Sequence, residues 1–141
     1  MFTGWLAWER DADFEPIFVE RRVFSDVPPG TVMHSGWPRY CGTIDLGAFV
    51  AGEPSVLDWK TRKGNGKPWP EQILQNVAYR RALRSMGLGE WTGHLVMLPK
   101  DGGAVTAVNV EPGPGDKWTV EGAFESFEAC LRLYRATKEF A

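Results

Sequence analysis

Two neighbouring apolar segments, residues 40–50 and 55–61, are rich in strand-forming side chains, and each is interrupted by an aspartate. Asp45 stands in Gly42-Thr43-Ile44-Asp45-Leu46 and Asp58 in Val56-Leu57-Asp58-Trp59-Lys60. A carboxylate inside such a run is costly to bury unless it is paired or bound to a cation. Side chains alternate along a strand, which puts Asp58 and Lys60 on one face and Leu57 and Trp59 on the other. The intervening Ala51-Gly52-Glu53-Pro54 has the length and glycine content of a hairpin turn. With Val50 facing Ser55 across that turn, Asp45 falls opposite Lys60 and Gly47 opposite Asp58. All three charged groups then share a face, as neighbours ~5–8 Å apart. The plainer alternative is an Asp45–Lys60 ion pair with Asp58 in solvent at a strand end.

A helical pattern follows over residues 70–87, with Pro70 at its first position and Gly87 just past its end. Leu74, Ala78, Ala82 and Met86 form its apolar face, and Arg80, Arg81 and Arg84 lie mostly on the other side. Gln75 and Tyr79, four apart, border the apolar stripe and share one side of the helix. They suit a polar pair aimed at the sheet, and equally a core tyrosine with a satisfied amide.

The remaining segments supply a short helix (2–9), a strand (17–24), an irregular Pro- and Gly-rich loop (26–39), a second loop (61–69), a hairpin (91–98 with 104–110) and a terminal helix (120–140). The order α-β-β-β-α-β-β-α argues for an α/β fold with a mixed central sheet flanked by helices. At 141 residues, without repeats or biased tracts, the chain reads as one domain.

Composition mainly removes options. The formal net charge of −2 gives no overall pull toward nucleic acid, so a binding face has to come from local clustering of Lys and Arg. Seven Trp and eight Phe serve either core filling or base stacking. Cys41 and Cys130 are too few for a four-cysteine iron–sulfur cluster or zinc site, and they suit a reduced compartment, with a disulfide left open. No apolar run approaches the ~20 residues that span a bilayer. The first ten residues lack the features of a signal peptide and read as part of the fold. A cytoplasmic protein is expected.

Together these residues resemble the RecB-like branch of the PD-(D/E)xK nucleases, which includes phage and CRISPR-associated exonucleases. Gly42-Thr43-Ile44-Asp45 is similar to the family's Gly-x-x-Asp, Asp58-Trp59-Lys60-Thr61 to its Asp-x-Lys-Thr, and Gln75-Asn76-Val77-Ala78-Tyr79 to its Gln-x-x-x-Tyr. The resemblance extends over about residues 14–98. It implies a restriction-endonuclease-like α-β-β-β-α-β core and hydrolysis of DNA phosphodiester bonds with Mg²⁺ or Mn²⁺. Asp45, Asp58 and the backbone carbonyl of Trp59 would bind the metal, Lys60 would act on the attacking water, and Gln75 and Tyr79 would orient Lys60 or the substrate.

The family's upstream acidic ligand is best matched by Glu20, which also reads as a surface glutamate paired with Arg22; Glu9 is a weaker match. Arg62, Lys63 and Lys67 would grip the DNA backbone, or else form a solvated basic loop. The chain departs from many relatives in lacking an N-terminal helical region with a metal-binding His, since His34 and His94 stand elsewhere, and in lacking iron–sulfur cysteines. Such a minimal core implies a second copy or a partner protein to hold DNA. The setting implied is recombination, repair or phage DNA processing in a bacterial or phage-infected cell. A resolvase-like endonuclease and a non-catalytic nucleic-acid-binding module on the same core remain open as alternatives.

Overall fold

A computed structural model describes residues 2–25, 40–62 and 67–140. The elements are α1 (Phe2–Asp11), β1 (Phe14–Phe24), β2 (Cys41–Val50), β3 (Glu53–Arg62), α2 (Pro70–Ser85), β4 (Thr92–Pro99), β5 (Thr106–Asn109) and α3 (Val120–Glu139). This is the order expected from the sequence, and its first six elements follow the α-β-β-β-α-β succession of the restriction-endonuclease-like core. The five strands form one sheet in the order β1-β2-β3-β4-β5. Only β3 and β4 run parallel, joined by α2 as a crossover, and the other neighbours are antiparallel.

The sheet separates two apolar layers. Val23, Ile44 and Val56 pack with Ala82 and Leu83 of α2, while Val77, Leu95, Met97 and Val110 continue this layer to Ala123 of α3. On the other face Leu46, Ala48, Leu57 and Val96 meet Trp8 of α1. The α2 layer is stapled by Arg80, which the helical pattern had placed mostly away from the core. Its guanidinium donates to the Trp91 carbonyl (2.7 Å), the Val110 carbonyl (3.1 Å) and Glu111 (2.6 Å), tying the helix to the start of β4 and the exit of β5. Tyr40 donates to the Ala78 carbonyl (2.7 Å) and meets Phe127 edge-on, which brings α3 against α2. The thiols of Cys41 and Cys130 are free and exposed. Among the described residues no helix is long and apolar enough to cross a membrane.

The β2–β3 hairpin differs from the expected register in an informative way. Val50 pairs with Glu53, so the turn has two residues, Ala51 and Gly52, rather than four. Both carry positive φ (51° and 80°), the pattern of a type I′ turn, whose twist matches that of the flanking strands. Gly47 consequently lies opposite Val56, not Asp58, and Asp45 comes level with Asp58 rather than with Lys60. A slip of two residues preserves which face each side chain occupies, so Asp58 and Lys60 keep the shared face expected of them.

Strict alternation fails at a register shift between Pro16 and Phe18 in β1, and again at a second level shared by two strands. Ile44 and Leu46 share a parity yet pack in opposite layers, and Phe18 and Val23 differ in parity yet pack in the same one. Both changes of face fall at residues level with each other, Asp45 in β2 and Glu20 in β1, since Val19 pairs with Leu46 and Arg21 with Ile44. Glu20 has a φ of 49°, a left-handed conformation unusual for a side chain of its kind. The change of face thus falls along the row that carries Glu20 and Asp45.

Ala51 stores avoidable strain in the I′ turn, because its Cβ disfavours positive φ. Ala51→Asn creates the Asn-Gly pair this turn prefers, and should raise stability by about 1 kcal/mol. The urea midpoint should rise with an unchanged m-value.

Candidate active site

The β2–β3 ladder runs from Val50–Glu53 up to Leu46–Leu57. Beyond it the two strands hold other partners, β2 staying with β1 to Cys41 and β3 with β4 to Arg62. Asp45 and Asp58 stand at this parting. There the Asp45 carboxylate substitutes for a backbone acceptor: its Oδ2 takes the Trp59 amide N–H at 3.1 Å. A strand amide left over by the separation is satisfied by a side chain, and the same bond fixes that side chain beside Asp58.

Asp58 is only 6% exposed. Its Oδ2 faces the Lys60 ammonium as an ion pair rather than as a well-aligned hydrogen bond. Burial is the main force on its carboxyl and pushes the pKa up to about 6. The Lys60 ammonium works against that shift, and the neighbouring Asp45 carboxylate adds to it. Asp58 is thus an acid held at the edge of ionisation by desolvation and a like charge.

From Lys60 the network passes to α2. Lys60 Nζ donates to Gln75 Oε1 at 3.1 Å, and Gln75 Nε2 donates to the Tyr79 hydroxyl at 3.1 Å. Lysine has no acceptor, which fixes the amide's orientation. The Tyr79 phenol is raised by burial and by the fields of Asp58 and Asp45, so it stays protonated. Its ring lies against the backbone of β2 at Gly42, where a Cβ would come within 2.5 Å of Tyr79 Cε1. The glycine of the Gly-x-x-Asp segment therefore admits the tyrosine of the Gln-x-x-x-Tyr segment, a steric link between motifs that no single strand or helix reveals.

The expected residues divide as follows. Asp45, Asp58, Lys60, Gln75 and Tyr79 form one connected cluster, while Trp59 contributes its amide there and packs its ring in the α1 layer. Glu20 is level with Asp45 on the neighbouring strand but exposed, with its alternation broken. Glu9 belongs to α1, which packs on the opposite face of the sheet. Among the described residues no three His, Cys, Asp or Glu side chains are grouped closely enough to hold a metal ion. Arg62 lies two residues beyond Lys60 and donates to the Lys67 carbonyl; the Lys67 residue is exposed. Lys63 lies outside the described residues, as does His34. His94 is engaged elsewhere, its Nδ1 lying 2.6 Å from Ser55 Oγ.

Two contributors were not foreseen. Asn76, 1% exposed, donates to the Val56 carbonyl (3.3 Å) and anchors α2 to β3 one residue from Gln75. A polar residue beside an apolar stripe was its only signal. Trp69, at the start of α2, falls in a segment that reads simply as loop.

Compared with family models and with curated proteins, the chain matches none. Among solved structures it is similar to the crystal structure of SSO0001, at 17% identity and a TM-score of 0.48. The match covers 92% of this chain and 56% of that one, so the chain spans little more than half of that protein's length.

The raised Asp58 pKa has a stability consequence whose sign is fixed. The native state holds the Asp58 proton up to about pH 6, whereas an unfolded aspartate releases it near its ordinary value of 3.8. Stability therefore falls as pH rises through that window, and the cost of ionised Asp58 is fully present above it. Asp58→Asn should stabilise the fold at pH 7.5 by on the order of 2 kcal/mol, and the gain should vanish below about pH 4. Urea unfolding at the two pH values measures it; an equal effect at both would refute the assignment.

Proposed function

We propose that the chain is a divalent-metal-dependent deoxyribonuclease, acting as an exonuclease on DNA in recombination, repair or phage DNA processing. The observation that carries this reading is the continuous network from Asp45 and Asp58 through Lys60 to Gln75 and Tyr79, assembled from three elements where β2 and β3 part. A salt bridge kept only for stability has no need of a second carboxylate that raises the cost of the first.

The donor set fits Mg²⁺ or Mn²⁺. Two carboxylates standing together, one of them buried and reluctant to ionise, gain from a hard cation that also keeps several waters. Asp45, Asp58 and the Trp59 carbonyl would hold it. Bound there, such an ion supplies Lewis-acid polarisation of a phosphoryl oxygen and a water of lowered pKa.

The chain's own groups do the positioning. Lys60 Nζ, held between Asp58 and Gln75, presents a fixed positive charge at the mouth of the carboxylate pair. There it can orient a nucleophilic water or offset charge developing on phosphate. Gln75, itself bonded to Tyr79, gives the ammonium a second partner besides Asp58. Arg62 and Lys67, with Lys63 between them in sequence, would add backbone contacts to DNA. In this reading the chain works in the cytoplasm of a bacterial or phage-infected cell, as a homo-oligomer or with a partner protein.

Lys60→Ala should lower cleavage by about 10²–10⁴-fold while the circular dichroism spectrum remains that of the parent. The assay uses end-labelled linear and covalently closed circular DNA, single- and double-stranded, with Mg²⁺ or Mn²⁺. Undiminished cleavage by the variant would sink the proposal. Cutting of closed circles would replace the exonuclease with a resolvase-like endonuclease. Absence of any cleavage, with no Asp45- or Asp58-dependent Mn²⁺ uptake by calorimetry, would leave a binding module.

A further inference from the structure

We infer that Trp69 and Arg62 form a stacking platform for an unpaired base beside the catalytic cluster, so that the substrate is DNA with a single-stranded segment or frayed end. The inference rests on the nuclease reading and narrows its substrate class.

Trp69 is 58% exposed, a large apolar surface to leave in water. Its position is the N-cap of α2, where Ser, Thr, Asp or Asn would cap a helix and an indole, with no acceptor, cannot. Helix formation therefore gives no reason for this side chain.

Its backbone is nevertheless held firmly. Pro68 and Pro70 flank it, its N–H donates to Gln72 Oε1 (3.0 Å), and its carbonyl accepts from the amides of Gln72 (3.0 Å) and Ile73 (3.3 Å). The Arg62 guanidinium lies over the ring, 5.4 Å from its centroid, and is itself tied to the Lys67 carbonyl. One face of the indole is thus backed by a fixed cation, and the exposed remainder of the ring faces solvent.

The platform is built on the same two elements as the cluster. Arg62 has the strand parity of Asp58 and Lys60 and lies ~7 Å beyond Lys60 along β3. Trp69 precedes Gln75 on α2 by ~9 Å of helix rise. These distances suit a nucleotide adjoining a phosphate at Lys60. Among the described residues the other exposed aromatics lie elsewhere: Phe24 and Phe49 at the ends of β1 and β2, Tyr134 and Phe140 at the far end of α3.

The chemistry selects the partner. Any base offers a π face to an indole, and the guanidinium behind it adds charge for the neighbouring phosphate. A paired base inside a duplex is already stacked on both sides and cannot use the site.

Binding is measured by fluorescence anisotropy of labelled oligonucleotides with the whole chain, in the Lys60→Ala background to prevent turnover. The probes are a single-stranded oligonucleotide and a duplex closed by hairpins at both ends. Adding Trp69→Leu should weaken single-strand binding by about 5- to 150-fold, whereas Trp69→Phe, which keeps a π face, should retain most of it. The salt dependence should be unchanged by Trp69→Leu and reduced by about one ion by Arg62→Ala.

Equal binding by Trp69→Leu and its parent overturns the platform alone, provided that the wild-type chain cleaves DNA. An equal loss on the closed duplex also overturns it, pointing to a general surface contact. If the wild-type chain neither binds nor cleaves DNA of any form, the nuclease reading falls and the platform with it.

Discussion

The hydrogen bond from the Trp59 amide to the Asp45 carboxylate is the constraint on which the rest of the site depends. A hairpin whose strands separate leaves backbone donors without partners, and burying such a donor costs as much as losing a hydrogen bond. The Asp45 side chain supplies the missing acceptor. In doing so it bridges β2 and β3 where they part, and it delivers a second carboxylate to Asp58. Were the ladder continued past Leu46 and Leu57, Asp45 would be an ordinary sheet residue with nothing to hold it near Asp58. The separation and the pairing of charges are one event.

Asp58 and Lys60 then require support from outside the sheet, and α2 provides it through side chains of graded polarity. Asn76 and Arg80, each one residue after Gln75 and Tyr79, fasten the helix to backbone carbonyls of β3, the start of β4 and the exit of β5. Because these anchors bond to the sheet and its connections directly, the Gln75 amide reaches Lys60 at a height set by the fold rather than by the ion pair. A site positioned in this way tolerates the unfavourable burial of Asp58, since no member can relax without breaking a structural bond elsewhere.

Much of this was legible in the residues themselves. Asp58 and Lys60 share a face because two positions apart is one period of a strand, and Gln75 and Tyr79 share a side because four apart is about one turn of a helix. Both relations are independent of the register between strands, so the two-residue turn leaves them unchanged. The turn itself was misread because Glu53 and Pro54 look like loop residues, yet both extend β3 below the apolar run. The joint change of face at Glu20 and Asp45 was not legible, because alternation is assumed by any reading that counts along a strand. Glu20 shows the cost: its position opposite Asp45 follows from pairing, whereas the direction of its side chain follows from a left-handed backbone that no pattern announces. Asn76 and Trp69 carry little signal in the sequence, one standing beside an apolar stripe and the other between prolines.

The line Lys60–Gln75–Tyr79 also has a direction. Lysine can only donate, so Gln75 must accept on one side and donate on the other, and the tyrosine oxygen receives that donation. Every hydrogen along the line is thereby passed away from the ammonium, and the last one, on the Tyr79 hydroxyl, must point off Gln75. A relay of this polarity ends in a donor whatever its length. The Tyr79 O–H is therefore free to donate to an acceptor such as a phosphate oxygen or a water. A glutamate at position 75 would break the sequence of donors at its midpoint and turn a one-way arrangement into a second ion pair for Lys60.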